Sequence, residues 1–259
     1  MARVLGGWTS ETFCVDGVWM VQVGRSAYAA ECLRHQLRTL PRLARHLAVP
    51  IPSPELACES PIAIRYRRIE GGRADEAGDG AWPEQLGAVL GQLHALRPDD
   101  VGLATPGAQA PRERAAAEVR RLYPLVAPRL SAAEKARVDR FVEAHLDPAG
   151  WAFAPCPVHA DLGPEHVLVS AAGELCGVID WEEWHLGDPA LDFGWWLHQR
   201  PAIGERMLAR YGRPADAGFR ERARRVYALM PWHDVEHGVA SWNDELVAAG
   251  LEGIRARLF

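Results

Sequence analysis

The chain has 259 residues, 48% of them hydrophobic and 24% charged, enough for one large domain or two small lobes around a cleft. A net charge of −5 argues against nucleic acid as a partner, because phosphate backbones are bound by basic surfaces. The five cysteines are scattered without a Cys-x-x-Cys pair and no run approaches the roughly 20 apolar residues of a membrane span, so the expectation is a cytoplasmic protein with reduced thiols and no membrane partner.

In chain order, Arg3-Val4-Leu5 leads into Gly6-Gly7-Trp8-Thr9-Ser10 and a strand ending near Val15. Asp16-Gly17 is a hairpin turn signal, and Val18–Val23 reads as the returning strand. A glycine pair followed by Thr9 and Ser10 offers backbone N–H groups and hydroxyls of the kind that cradle phosphates. Ala27–Leu47 is helical by period, with Leu33, Leu37, Leu40, Ala44 and Leu47 on one face, and Pro41 is expected to kink or restart it. Ile62–Ile69 alternates as a strand and leads into Glu70-Gly71-Gly72. Helices are expected over Pro83–Leu96, Pro111–Leu125 and Ser131–Leu146. After Phe193 the pattern is helical throughout, in five segments: Phe193–His198, Gly204–Tyr211, Ala217–Leu229, His233–Ala240 and Asp244–Phe259. Lys135, the single lysine of the chain, lies at the start of a surface helix.

The stretch Pro157–Phe193 carries the chemistry. His159-Ala-Asp161 forms a turn, and His166 follows five residues after Asp161. Val167–Val169 and Cys176–Ile179 make a hairpin that delivers Asp180-Trp181, and Gly187-Asp188-Pro189 comes next. A carboxylate able to face a hydroxyl, beside two ligands able to hold a divalent cation, suits phosphoryl transfer, in which positioning and charge neutralisation do most of the work. A zinc centre is disfavoured because no Cys-x-x-Cys pair is present.

These three motifs, in this order and at these spacings, resemble the aminoglycoside phosphotransferase and choline kinase-like family. The family pattern is His-x-Asp, four residues, Asn, x, Leu, then Ile-Asp-Trp or Ile-Asp-Phe, then Gly-Asp-Pro; this chain carries His166 where Asn is commoner. The resemblance implies an α+β, bilobal protein-kinase-like fold, with a small β-rich nucleotide lobe over residues 1–70 and a larger helical lobe over 71–259. It implies Asp161 as catalytic base, His159 as support of the catalytic loop, His166 and Asp180 as ligands of Mg2+, and Asp188 as a structural brace. It places Gly6, Gly7, Thr9 and Ser10 at the phosphates, and the hinge after Arg68-Ile69 at the purine edge.

The resemblance also exposes a departure. The family's phosphate-binding lysine falls on Gln22 and its glutamate partner on Gln36, both neutral. A Gln22–Gln36 hydrogen bond would replace the ion pair; alternatively Arg25, just past the strand, reaches the phosphates. Residues 151–259 hold 16 acidic and 10 arginine side chains, a local charge of −6. An acidic cleft favours a cationic, hydroxylated small molecule. Asp192, Glu183, Asp234 and Glu236 are the substrate candidates, with Trp232 as a pocket wall beside Trp195, Trp196 and Trp242, although tryptophans at such spacing also suit a core. The expected activity is transfer of the γ-phosphoryl group of ATP or GTP to a hydroxyl of an antibiotic, an aminoglycoside, macrolide or cyclic peptide. A metabolic small-molecule kinase and a nucleotide-binding regulator without catalysis are the alternatives.

Overall fold

The computed structural model describes residues 2–4, 10–78, 80–104 and 110–259. Its contacts group the chain into two compact units. The first comprises Met1–Thr105, Cys156–Gly187 and Ala202–Arg213; the second comprises Pro106–Pro155, Asp188–Pro201 and Pro214–Phe259. The grouping follows contact density, whereas the expected lobes divide at residue 70.

In the first unit, strands β1 (Ala2–Val4), β2 (Ser10–Val15), β3 (Trp19–Gly24), β4 (Glu55–Glu59) and β5 (Ile62–Arg67) form an antiparallel sheet in the order β1-β2-β3-β5-β4. The β2–β3 turn is built on Asp16 and Gly17, both at positive φ, as a tight hairpin turn requires. Helix α1 (Ala27–Leu43) is capped by Ser26, whose hydroxyl accepts the Ala29 N–H, and it lays Leu33 against Ile62 and Ile64 of β5. It runs through Pro41 and ends two residues later, so the proline marks the last turn rather than a restart.

Past the sheet come β6 (Gly72–Arg73), α2 (Trp82–Leu93) and α3 (Pro98–Val101). Gly87 and Gly91 of α2 let the backbone of the 202–211 stretch approach; a Cβ at Gly87 would stand against the Met207 carbonyl, well inside contact distance. Strands β7 (Cys156–Val158), β8 (Val167–Val169), β9 (Leu175–Val178) and β10 (His185–Gly187) complete this unit's sheets. β8 pairs with both β6 and β9, and β7 pairs with β10, all antiparallel.

The second unit is helical. Its elements are α4 (Ala110–Val126), α5 (Ala132–Leu146), α6 (Gly194–Gln199), α8 (Phe219–Ser241) and α9 (Asp244–Leu258), while α7 (Pro201–Arg210) falls almost wholly in the first unit. Ser131 and Glu134 form a reciprocal capping box that starts α5. Val119, Leu122, Val138, Phe141, Trp232 and Ile254 share one core. The two helices expected on either side of Pro231 are one, α8. Proline at 231 leaves the Tyr227 carbonyl, four residues back, without its helical donor, and Arg257 of α9 donates to it at 2.6 Å. A tertiary bond thus offsets the local break.

His145 is a buried titratable group in this core, 2% exposed and packed edge-on to Trp151, and neither ring nitrogen makes a hydrogen bond. Burial is the main cause that pushes its pKa from 6.5 down to about 4; the Glu118 carboxylate opposes this and is outweighed. A histidine with a depressed folded-state pKa stabilises the fold fully above its unfolded value, and that contribution is lost as pH falls from about 6.5 to 4. His145→Leu is therefore expected to flatten the loss of stability over this window by up to about 3 kcal/mol, measured by urea unfolding at stepped pH.

Candidate active site

Two short loops of the first unit converge. The first follows β7 and holds His159, Ala160 and Asp161; the second follows β9 and holds Ile179, Asp180 and Trp181. The backbone of Ile179 connects them: its N–H donates to the His166 carbonyl at 2.9 Å, and its carbonyl accepts from His159 Nε2 at 2.9 Å. His159 is wholly buried, and its Nδ1 accepts the Asp161 N–H at 3.3 Å, which fixes a neutral ring protonated on Nε2. Trp181 lies 4.6 Å from the His159 ring, centroid to centroid, and anchors its own indole N–H on the Val178 carbonyl. His159 and Trp181 hold the loops, while Asp161, with its side chain 60% exposed, is presented to solvent.

His166 sits between the two carboxylates. Its Nδ1 donates to the Asp161 carbonyl oxygen at 2.6 Å, since a carbonyl can only accept. Nε2 is thereby aimed at Asp180, with 3.4 Å to Oδ2, while Asp161 Oδ2 lies 3.7 Å from Nδ1. Burial works to lower the His166 pKa, but the carboxylates of Asp180 and Asp161 outweigh it and the pKa is raised. A proton is thus favoured between Nε2 and Asp180, and a metal ion bound there would have to displace it.

The donor set fits a divalent cation shared with a ligand. Among the described residues no group of three or more His, Cys, Asp or Glu forms a self-sufficient metal centre. One carboxylate and one imidazole leave most positions to water and phosphate oxygens, which is how magnesium is held at nucleotide sites. Backbone strain collects at the same place. Ala160 has φ +71° and Asp180 φ +63°, two of the four non-glycine residues at positive φ among those described. Left-handed backbone at non-glycine residues persists only where its surroundings enforce it, and functional sites are where it clusters.

The nucleotide-side expectations fare unevenly. Gly6, Gly7 and Thr9 lie outside the described residues. Ser10 is buried and pairs with Gly24 across the β2–β3 ribbon. Gln22 pairs in register with Ile64, so it projects toward α1, where Gln36 is buried. The expected Gln22–Gln36 hydrogen bond is not formed; Gln22 Oε1 is buried without a partner. An uncharged pair lacks the Coulombic attraction that would draw the two side chains together.

Arg25 donates to Glu11 Oε1 at 2.9 Å across the ribbon, an exposed pair. The backbone N–H of Arg68 is committed to the Val18 carbonyl at 2.8 Å and is not free for a purine edge. Arg68 and Ile69 line a cleft of about 800 Å³ with Trp19, Arg65 and Arg67. Strand alternation puts Trp19, Arg65 and Arg67 on the face away from α1, so this cleft is not on the Gln22 side. It does not include Asp161, His166 or Asp180.

The substrate candidates are dispersed. Glu183 accepts the Tyr28 hydroxyl at 3.2 Å, within the first unit. The others lie in the second unit. Asp192 is buried, Asp234 is exposed, and Glu236 is ion-paired with Arg121. Trp232 is fully buried in the helical core, and so is Trp196; a substrate cannot reach Trp232 without parting the helices, which corrects its expected place on a pocket wall.

Asp188 is 3% exposed, accepts the Ala190 N–H at 3.0 Å, and pairs with Arg222 at 2.5 Å. Arg222 was not singled out by the sequence. It falls on the buried stripe of α8 between Phe219 and Ala223, a spacing that separates it from its solvated arginine neighbours. Burial disfavours its charge, but Asp216 and Asp188 outweigh that and raise its pKa.

A model of the phosphotransferase enzyme family matches residues 1–238. The chain belongs to that family. Over 104 residues it is 34% identical to viomycin phosphotransferase of Streptomyces vinaceus, covering 38% of this chain and 35% of the relative. Over 87 residues it is 32% identical to the uncharacterized protein YcbJ of Bacillus subtilis (strain 168), covering 34% of this chain and 26% of that one. The matched stretches therefore span about a third or less of those relatives' lengths.

Solved structures agree in fold. The GDP and kanamycin complex of APH(2")-IIia superposes with a TM-score of 0.83 at 18% identity, over 98% of this chain and 91% of that one. Macrolide 2'-phosphotransferase MphH from Brachybacterium faecium gives 0.72 at 21% identity, over 98% and 90%. The expected kinase-like fold is the one observed.

Arg222→Met should leave Asp188 buried and unpaired and destabilise the second unit by about 3 kcal/mol or more, read by denaturant unfolding. Adding Asp188→Asn should recover part of that loss.

Proposed function

We propose that this protein transfers the γ-phosphoryl group of ATP or GTP to a hydroxyl of a cationic small-molecule antibiotic, in the cytoplasm. The observation that carries the reading is the Asp161–His166–Asp180 cluster, laced through the backbone of Ile179 and strained at Ala160 and Asp180. Family membership and the name of viomycin phosphotransferase support an antibiotic, and the acidic balance of residues 151–259 supports a cationic one. The same findings leave the aminoglycosides, macrolides and cyclic peptides as classes to be separated by assay.

In this reading Asp161 accepts the hydrogen bond of the substrate hydroxyl, orients its oxygen toward the γ-phosphorus and takes up the proton as the new P–O bond forms, while the bond from the γ-phosphorus to the bridging β-phosphate oxygen breaks and the nucleoside diphosphate leaves. His159 stays neutral and keeps the loop fixed. His166 Nε2 and Asp180 would hold the divalent cation, which supplies charge neutralisation to the phosphates. Asp180 is kept in its left-handed conformation so that its carboxylate faces Nε2. Arg25 directly follows Gly24, which pairs with Ser10 across the β2–β3 ribbon, and releasing it from an exposed partner costs about 1 kcal/mol or less.

The decisive assay incubates the protein with a mixed antibiotic panel, magnesium, and ATP or GTP in parallel, with detection by mass spectrometry. A product heavier by one phosphoryl group is expected; nucleotide binding without any product would point to a metabolic substrate, and no nucleotide binding would sink the reading. Asp161→Ala should lower turnover roughly 100- to 10,000-fold with little change in nucleotide affinity. Arg25→Gln should raise the nucleotide KM about tenfold, the scale of one charged hydrogen bond. If Gln22→Ala raises it instead, the phosphate contact belongs to Gln22.

A further inference from the structure

The segment after Asp180 is bound to α1 by contacts that no family motif includes. Trp184 is 1% exposed, and its indole N–H donates to Thr39 Oγ1 at 3.2 Å. Thr39 is equally buried and passes the bond on, its hydroxyl donating to the His35 carbonyl at 2.7 Å. The His35 ring lies 5.7 Å from Trp184. From Trp184 the ring contacts continue edge-on to Trp181 at 6.2 Å, then to His159 at 4.6 Å. One unbroken series of packed rings thus runs from α1 to the catalytic loop, passing the residue that follows Asp180. A second, exposed tie joins Tyr28 to Glu183.

Gln22 and Gln36 provide no such tie between β3 and α1, since Gln22 Oε1 has no partner. Asp180 itself is strained at φ +63°, and strain of this kind relaxes unless neighbours oppose it. Trp181 opposes it locally through its bond to the Val178 carbonyl, and Trp184 opposes it from four residues on.

We infer that Trp184 and Thr39 are positioning residues, which hold the Asp180 carboxylate toward His166 Nε2 by fastening the 180–184 segment to α1. The inference rests on the phosphotransferase reading for its effect on nucleotide binding, but the fastening itself is a property of the fold. Thr39 gives up its hydroxyl in Thr39→Val, and Trp184→Phe keeps a ring while deleting the N–H. Both remove the bond by different chemistry, so one serves if the other misfolds.

Two measurements decide it. Amide hydrogen exchange should rise across residues 180–184 in either variant, with the β2–β3 ribbon unchanged. GDP affinity by calorimetry should fall about tenfold with magnesium present, the scale of one buried hydrogen bond, and stay the same within about twofold in EDTA. Metal-dependent and metal-free affinities falling by one common factor would mark a merely structural contact and overturn the inference. So would unchanged exchange over 180–184. If the unaltered protein binds no GDP at all, the phosphotransferase reading fails, and exchange alone decides the fastening.

Discussion

Ile179 donates its N–H to the His166 carbonyl and accepts the His159 Nε2–H on its own carbonyl, so a single residue joins the end of β7, the start of β8 and the end of β9. Asp161 and Asp180 each lie within two residues of those bonds. The backbone segments that carry them therefore cannot drift apart without breaking these part-buried hydrogen bonds, each costly when a polar group is left unsatisfied. Ile179 directly follows the hairpin β8–β9, and pairing with β6 fixes the hairpin. Preorganisation at the site is thus a matter of backbone bonds; the functional side chains are left free to face outward.

That arrangement explains why the imidazole at 166 is compatible with a cation site. An asparagine would offer an oxygen by rotating its amide. The histidine instead donates Nδ1–H to the Asp161 carbonyl, and this bond alone determines which nitrogen faces Asp180. In the proposed function the ligand atom would be selected by its second hydrogen bond, as at most histidine–metal sites. The same bond ties His166 to the Asp161 backbone, so moving either residue disturbs the other.

Much of this was legible in the sequence because the chemistry is local there. His159, Asp161, His166 and Asp180 lie within 22 consecutive positions, and the hairpin between them is announced by apolar runs around Ala171-Ala172-Gly173-Glu174. Helix boundaries followed from caps and period, as with Ser131. What escaped was tertiary. Pro231 reads as a break until Arg257 is known to satisfy the freed carbonyl. Arg222 reads as one more solvated arginine until the buried stripe of α8 is drawn through it. Trp232 and Trp242 read alike in sequence, yet one is fully buried and the other 94% exposed. The inward placement of Gln36 on α1 follows from the helical period, but the bond expected from it to Gln22 is not formed and could not be read from spacing.

The scarcity of lysine gives these points a common physical thread. Phosphate charge has to be met by cations, and the chain's lone lysine lies in the helical unit on α5, already paired with Asp139 at 2.8 Å. On β3 and α1, Gln22 and Gln36 contribute dipoles only, and Arg25 is held by Glu11. Under the proposed function, neutralisation would therefore fall more heavily on the cation that His166 and Asp180 would share with the nucleotide. A site that depends on one cation more than on a lysine tolerates little wander in the carboxylate that holds it. The buried rings and hydrogen bonds behind Asp180 meet that requirement without adding a charge, since apolar contact and one indole N–H restrain the loop at no desolvation cost to an ion.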